Sequence, residues 1–75
     1  MQVHIGSVIR DELRRQGFTN QWLADRINID RRTLQRLYNK PTIDTQQLLR
    51  ISVVLRKDFF KCYSEAFLSM TDVAT

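Results

Sequence analysis

Apolar residues recur along this chain at every third or fourth position, and this spacing predicts an all-helical protein. Ile5, Ile9 and Leu13 fall at every fourth position and predict a first helix over residues 4–16. Gly17 follows it directly and is well placed to end the helix in a left-handed conformation. Strand signals are poor throughout, so we expect no β-sheet.

Two short helical patterns follow and are joined by a tight turn. Thr19 is placed to cap a helix over residues 20–27. Asn28 tolerates the left-handed conformation that would end this helix. Asp30 is then placed to cap the next helix, over residues 31–39.

A fourth helix is predicted after the loop that contains the only proline. Asp44 and Gln47 have the spacing of a capping box, in which each side chain bonds a free amide of the first turn. The side expected to be buried comprises Leu48, Ile51, Ser52 and Leu55, and the residues that widen the apolar surface are Leu49, Val53 and Val54. A helix apolar over so much of its circumference is usually central.

A fifth helix is predicted from Asp58, which is placed to cap it. Its apolar face comprises Phe59, Phe60, Tyr63, Ala66, Phe67 and Met70. Phe60, Tyr63 and Phe67 exceed what one small domain can cover, so they are candidates for a homodimer interface. We expect a single domain over residues 1–70 and a disordered tail over residues 71–75.

The helix predicted over residues 31–39 has two contrasting sides. At ~100° per residue, the arc expected to be buried holds Thr33, Leu34, Leu37 and Tyr38. The opposite arc holds Arg31, Arg32, Gln35, Arg36 and Asn39, with no acid among them. Arg and Gln can match base edges and phosphates in the major groove of DNA. The alternative is an ordinary solvated face.

Composition narrows the choice of function. The net charge is +4, with an isoelectric point near 9.8, which favours a polyanionic partner or simply solubility. Cys62 and His4 are the only residues of their types, which excludes an internal disulfide and a cysteine-pair zinc site. His4 also falls at an expected frayed terminus, so we expect no enzyme, no cofactor and no metal.

No stretch approaches the ~20 apolar residues of a membrane span, and the start of the chain has no signal-peptide pattern. We therefore expect no membrane partner. No ligand pocket can be read from the sequence, so we expect no small-molecule ligand either. The expected compartment is a reducing cytoplasm, where this chain would be a nucleoid-associated protein of the bacterial or phage type.

The joint spacing of caps and apolar positions resembles the helix-turn-helix domain of the Cro/CI-type repressors, the XRE family. The resemblance covers roughly residues 5–60. The matching residues are Thr19, Leu23, Ala24, Ile29, Asp30, Leu34, Leu37, Asn39, Leu48, Leu49, Ile51 and Leu55.

This resemblance implies a compact five-helix bundle of the lambda-repressor-like type, with the helix-turn-helix at helices 2 and 3. It also implies a sequence-specific regulator, a repressor that binds double-stranded DNA as a homodimer on a pseudo-palindromic operator. The positions implied to contact bases are Arg31, Arg32, Gln35 and Arg36. The positions implied to contact phosphates are Thr19, Asn20, Asn39 and Lys40.

The sequence departs from the family pattern at several positions. Asn20 stands where Gln is usual, and Asn28 replaces the usual Gly of the turn. Tyr38 and Leu13 occupy positions that often hold a Glu–Arg ion pair. We expect an apolar contact between these two residues to replace the pair with little loss of stability.

A second interpretation is a protein-interaction module, an antitoxin-like or adaptor protein that uses Trp22 and the aromatic fifth helix. Trp22 either packs on the first helix or the C-terminal segment, or contacts a partner. The first-helix arginines Arg10, Arg14 and Arg15 are expected to be ordinary surface charge, and the spacing of Asp11 and Arg15 allows these two to pair. RNA binding is less favoured, because the basic face lacks stacking aromatics.

Overall fold

The computed structural model describes residues 3–74, with side chains as far as residue 71. These residues form five α-helices and no strand, which confirms the all-helical prediction. The helices are α1 (Ile5–Gln16), α2 (Asn20–Arg26), α3 (Arg31–Tyr38), α4 (Thr45–Leu55) and α5 (Phe60–Ala74).

The first four helices share one hydrophobic core, which also includes the residue just before α5. Its buried members are Ile5, Ile9, Leu13, Leu23, Ala24, Ile27, Leu34, Leu37, Tyr38, Leu48, Ile51, Leu55 and Phe59. The predicted buried sides of α1 and α4 are therefore confirmed. Burial of one stripe from each short helix stabilises helices that would be marginal alone.

Two of the predicted turns have the expected left-handed geometry. Gly17 has φ of 81° and Asn28 has φ of 58°. After Asn28, the amide of Ile29 donates to the carbonyl of Ala24 at 3.0 Å. This bond satisfies a carbonyl left free at the end of α2 and fixes the angle at which α3 begins.

The predicted N-caps differ in outcome. Thr19 accepts a bond from the amide of Trp22 at 3.1 Å, and Asp44 accepts one from the amide of Gln47 at 2.8 Å. Asp30 stands at the N-cap of α3, but its side chain makes no capping bond. The predicted cap position of Asp30 is therefore confirmed, but the first amides of α3 receive no bond from its carboxylate.

The N-terminus of α1 is capped rather than frayed. His4 precedes the helix, and its Nδ1 accepts a bond from the amide of Ser7 at 3.2 Å. The expectation of a frayed end at His4 is therefore wrong. An imidazole acceptor is not among the usual capping groups, which is why the pattern did not predict it.

The first turn of α1 lies directly on the chain that leaves α3. The amides of Ile5 and Gly6 donate to the carbonyls of Pro41 and Lys40 at 3.1 and 3.0 Å. A Cβ on Gly6 would lie 2.7 Å from the Lys40 carbonyl oxygen and closer still to that of Leu37. Only glycine allows this approach, so α1 fixes the position of the carboxyl end of α3.

The second half of the chain has three features that the sequence did not predict. Leu49 and Val53 are 51% and 68% exposed, so the wide apolar surface of α4 is not covered within one chain. Arg56 ends α4 with φ of 52°, a conformation that glycine usually supplies. The fifth helix begins at Phe60, two residues after Asp58, the predicted cap.

The fifth helix leaves the body of the molecule partway along its length. Phe59 and Ala66 are buried, whereas residues 67–71 are all exposed. The helix extends to Ala74 and so covers the segment predicted as a tail except Thr75, which lies outside the described residues. None of the described helices is both long enough and apolar enough to cross a membrane.

Candidate nucleic-acid interface

The two sides of α3 separate nearly as the sequence predicts. Leu34, Leu37 and Tyr38 are buried, but Thr33 is exposed, so its placement in the buried arc is wrong. Thr33 lies at the rim of that arc, where a groove of about 300 Å³ opens between α3 and α4. The other residues that line this groove are Leu37, Lys40, Ile43, Asp44 and Gln47.

The opposite side of α3 is basic and open to solvent. All its predicted members are exposed: Arg31, Arg32, Gln35, Arg36 and Asn39. Within residues 3–71, the ion pairs join only Arg10 to Asp11 and Arg15 to Glu12. The three guanidinium groups of α3 therefore have no acidic partner in this part of the chain.

The charges in the first turn of α3 do not favour the helix itself. Arg31 and Arg32 occupy its first turn, which contains no acidic residue. Helix N-termini carry partial positive charge, so each cation there costs about 0.3–1 kcal/mol at low ionic strength. An anion bound at this end would reverse that unfavourable interaction.

The predicted phosphate-contacting residues flank α3 on two sides. Thr19 and Asn20 begin α2, whereas Asn39 and Lys40 follow α3. Asn39 and Lys40 are exposed, while the Lys40 carbonyl accepts the bond from Gly6. The backbone of this loop is thus anchored by α1, and its polar side chains remain open to solvent.

Asn20 is held by a residue that the sequence assigned to an apolar contact. The hydroxyl of Tyr38, a buried residue, donates to Oδ1 of Asn20 at 3.0 Å. Burial raises the pKa of Tyr38 to about 12, against an opposing effect of the Arg14 and Arg10 guanidiniums. The hydroxyl therefore stays protonated at neutral pH. The signal available in the sequence was that a buried tyrosine hydroxyl needs a partner.

Comparisons of the chain with models of protein families, with curated proteins and with solved structures found no match. What this surface can do therefore follows from its own residues and geometry.

Trp22 packs against its neighbours on α2 and the turn before it. Its ring stacks on Phe18 with 3.8 Å between centroids and 6° between planes. The guanidinium carbon of Arg26 lies 4.3 Å from the ring centroid. The stack forms with the α1–α2 connection, and Trp22 also packs, partly buried, against the hydrophobic core. These two contacts leave less of the indole available to a partner.

The first helix uses one of its arginines in a structural pair. Arg15 bonds Glu12 at 2.6 Å, and not Asp11, the partner that the sequence spacing also allows. Glu12 also accepts a bond from the side-chain nitrogen Nε2 of Gln16, which donates as well to the Leu55 carbonyl at 2.9 Å. The bonds from Arg15 and Gln16 lower the pKa of the buried Glu12 carboxylate to about 2. This network ties α1 to the end of α4.

The predicted dimer residues lie along α5, away from these contacts. Phe60 is half-buried, Tyr63 is 36% exposed and Phe67 is 64% exposed. Phe60 and Tyr63 line an apolar groove of about 370 Å³. Its other lining residues are Thr42, Ile43, Thr45 and Leu48. Phe67 does not line this groove and follows Tyr63 by four residues along α5.

Proposed function

We propose that this protein is a sequence-specific DNA-binding transcriptional regulator of the Cro/CI helix-turn-helix type, acting as a repressor. The observation that carries the proposal is the exposed basic side of α3, opposite a side anchored in the core. The three arginines of this side lack acidic partners within residues 3–71. Their location in the first and last turns gives the helix charge along its whole length.

In this proposal, α3 lies in the major groove of double-stranded DNA. Arg31, Arg32 and Arg36 contact base edges, where Arg pairs bidentately with guanine, and Gln35 can pair with adenine. The proposed backbone contacts come from Thr19, Asn20, Asn39 and Lys40. These contacts position the protein without reading sequence.

Reading a pseudo-palindromic operator requires two copies of α3 about one DNA turn apart, ~34 Å. We propose that a homodimer supplies them and forms through the α5 surface of Phe60, Tyr63 and Phe67. The exposed apolar area of this helix supports the proposal.

The first experiment selects binding sites from a random duplex pool and then measures affinity by fluorescence anisotropy at two salt concentrations. Arg36→Ala is expected to weaken binding by ~1–3 kcal/mol and to relax preference at particular bases. Lys61→Ala removes the same charge from the exposed side of α5 and should change affinity only slightly. Equal losses in both variants would indicate a general charge effect and not base reading.

A second measurement locates the interface directly. Amide chemical shifts are recorded by NMR with and without the selected DNA, and residues 19–40 are expected to shift most. If these amides stay unmoved while DNA is in excess, the proposed function is wrong.

The exposed end of α5 favours one alternative function, a protein-interaction module of the antitoxin or adaptor kind. Phe67, Leu68 and Met70 are all exposed there. Affinity capture with the intact chain discriminates the two functions. Recovery of a stoichiometric protein partner that blocks DNA binding would support the module, whereas recovery of self and DNA alone would support the regulator.

A further inference from the structure

Asn20 differs from Thr19 in what its side chain bonds: Thr19 accepts from the backbone amide of Trp22 in its own turn, whereas Asn20 accepts from the side chain of the buried Tyr38. A carboxamide has one acceptor oxygen and one nitrogen with two donor hydrogens. Oδ1 accepts the bond from Tyr38, while Asn20 remains half-exposed. The donor nitrogen Nδ2 makes no hydrogen bond within the described residues.

We propose that Tyr38 is a positioning residue for DNA binding: by holding Oδ1 of Asn20, it directs Nδ2 outward to donate to a backbone phosphate. The proposal rests on the DNA-binding function argued above. Tyr38 itself is almost fully buried, so it would act through Asn20 and not by touching DNA.

The bond also joins two parts of the proposed interface. Tyr38 belongs to α3, which carries the basic side, and Asn20 belongs to α2, which carries the phosphate contact. Eighteen residues separate them along the chain. A phosphate contact held from α3 would place the reading helix at a fixed depth and register in the groove.

The advantage of this arrangement is pre-organisation. A free asparagine side chain must be ordered when it binds, and that ordering weakens affinity. In the free protein, Tyr38 already restrains the carboxamide of Asn20. Losing the restraint should weaken DNA binding roughly threefold to tenfold, from the entropy of ordering one side chain.

The test is a double-mutant cycle of Tyr38→Phe and Asn20→Ala, with affinity for the selected duplex and a random duplex measured at one salt concentration. Tyr38→Phe removes only the hydroxyl and keeps the ring in the core. Each single variant should bind both duplexes several-fold more weakly, by a similar factor. The double variant should bind no more weakly than Asn20→Ala alone.

Two further variants separate this role from a purely structural one. Gln21→Ala removes a neighbouring amide that already bonds Asp25, and it should leave affinity unchanged. Asn20→Asp keeps an oxygen for Tyr38 but replaces the donor with a negative charge, so it should bind more weakly than Asn20→Ala. Urea unfolding of every variant identifies conditions in which each one is folded, and the affinities are compared under those conditions.

The outcomes are distinguishable from failure of the proposed function. If Asn20→Ala weakens binding but Tyr38→Phe does not, or if the two losses add, the positioning role is overturned and DNA binding stands. The same holds if Asn20→Asp binds as well as Asn20→Ala. If the wild-type chain selects no DNA and the Arg36 variant changes nothing, the proposed function fails, and this inference fails with it.

Discussion

Arg31 and Arg32 bring positive charge to the end of α3 where free backbone N–H groups already present partial positive charge. Arg36, by contrast, lies in the last turn, where a cation is favourable. The same residue type therefore affects helix stability with opposite sign at the two ends. If this side of α3 binds an anion, removing the positive charge of Arg31 should raise the stability of the fold but weaken binding. Removing the positive charge of Arg36 should lower both.

Arg31→Glu is expected to raise the free energy of unfolding by about 0.5–1 kcal/mol, because it exchanges a cation for an anion at the helix N-terminus. It should also weaken DNA binding strongly. Arg36→Glu is the matched control, and it should lower both stability and binding. Urea unfolding and anisotropy on the same samples check both changes. A stabilised Arg31→Glu variant that binds DNA at wild-type affinity would exclude this residue from the interface.

Glu12 gives the fold a defined dependence on acid. Its pKa is lowered from 4.5 to about 2 in the folded chain, mainly by the bond from Arg15. Its contribution to stability is therefore full above pH 4.5 and is lost as the pH falls toward 2. Because the Arg15 side chain is 70% exposed, solvent screens the pair, and we expect about 1 kcal/mol.

Glu12→Gln should lower stability by about 1 kcal/mol at pH 7 and lose less than wild type between pH 4.5 and pH 2. Asp11→Asn removes a neighbouring exposed carboxylate and should stay within about 0.5 kcal/mol of wild type. Urea unfolding at pH 7 and pH 3 is the measurement. Parallel pH profiles for wild type and Glu12→Gln would contradict this account.

At the scale of the helices, local signals predicted much of the fold. Periodicity gave all five helices within a few residues, and Gly17 and Asn28 end α1 and α2 in the expected conformation. These features depend only on neighbours along the chain. Thr33 was placed wrongly because periodicity gives the direction of a side chain but not whether another helix covers it.

The contacts that sequence reasoning missed join residues far apart along the chain. The bond between Tyr38 and Asn20 depends on how α2 and α3 pack, and the bond from Gln16 to Leu55 depends on α1 and α4. Polar pairs of this kind leave no periodic signal. They become visible only when the relative position of the helices is known.

The contact between α1 and the end of α3 gives a prediction at this scale. Gly6→Ala would place a Cβ against the Leu37 and Lys40 carbonyl oxygens, so α1 must shift. We expect a loss of about 2–3 kcal/mol from this overpacking. Gly17→Ala is the control: open space surrounds it, and strain at φ of 81° should cost about 1–2 kcal/mol.

Urea unfolding of both glycine variants provides the comparison. NMR amide shifts of Lys40 should change in Gly6→Ala and not in Gly17→Ala, because only the first disturbs the loop after α3. Equal stability losses with an unmoved Lys40 amide would show that α1 does not fix this loop.

The whole molecule is more elongated than its length requires. Its extents are 45 × 21 × 20 Å and its radius of gyration is 13.2 Å. A compact chain of this length would have a radius of gyration of about 11 Å. Residues 67–71 of the fifth helix are all exposed, as a helix end that extends past the core would be. An apolar helix that leaves its own core is suited to packing against a second copy.

If the proposed dimer forms, Phe67→Ser is expected to convert it into a monomer without unfolding the domain, because this exposed ring is outside the core. Val53→Ser is the matched control, since Val53 is equally exposed but lies on α4, outside the proposed dimer surface. Sedimentation equilibrium over a range of concentrations measures the change in association.

The consequence for DNA binding follows from symmetry. A monomer loses the gain from engaging both half-sites at once, which can reach ~100-fold or more, but it retains affinity for a single half-site. Phe67→Ser should thus lose affinity for the full operator and bind an isolated half-site as wild type does. If the wild-type chain sediments as a monomer at high concentration, or Phe67→Ser still dimerises, then α5 is not the dimer interface and the exposed helix needs another partner.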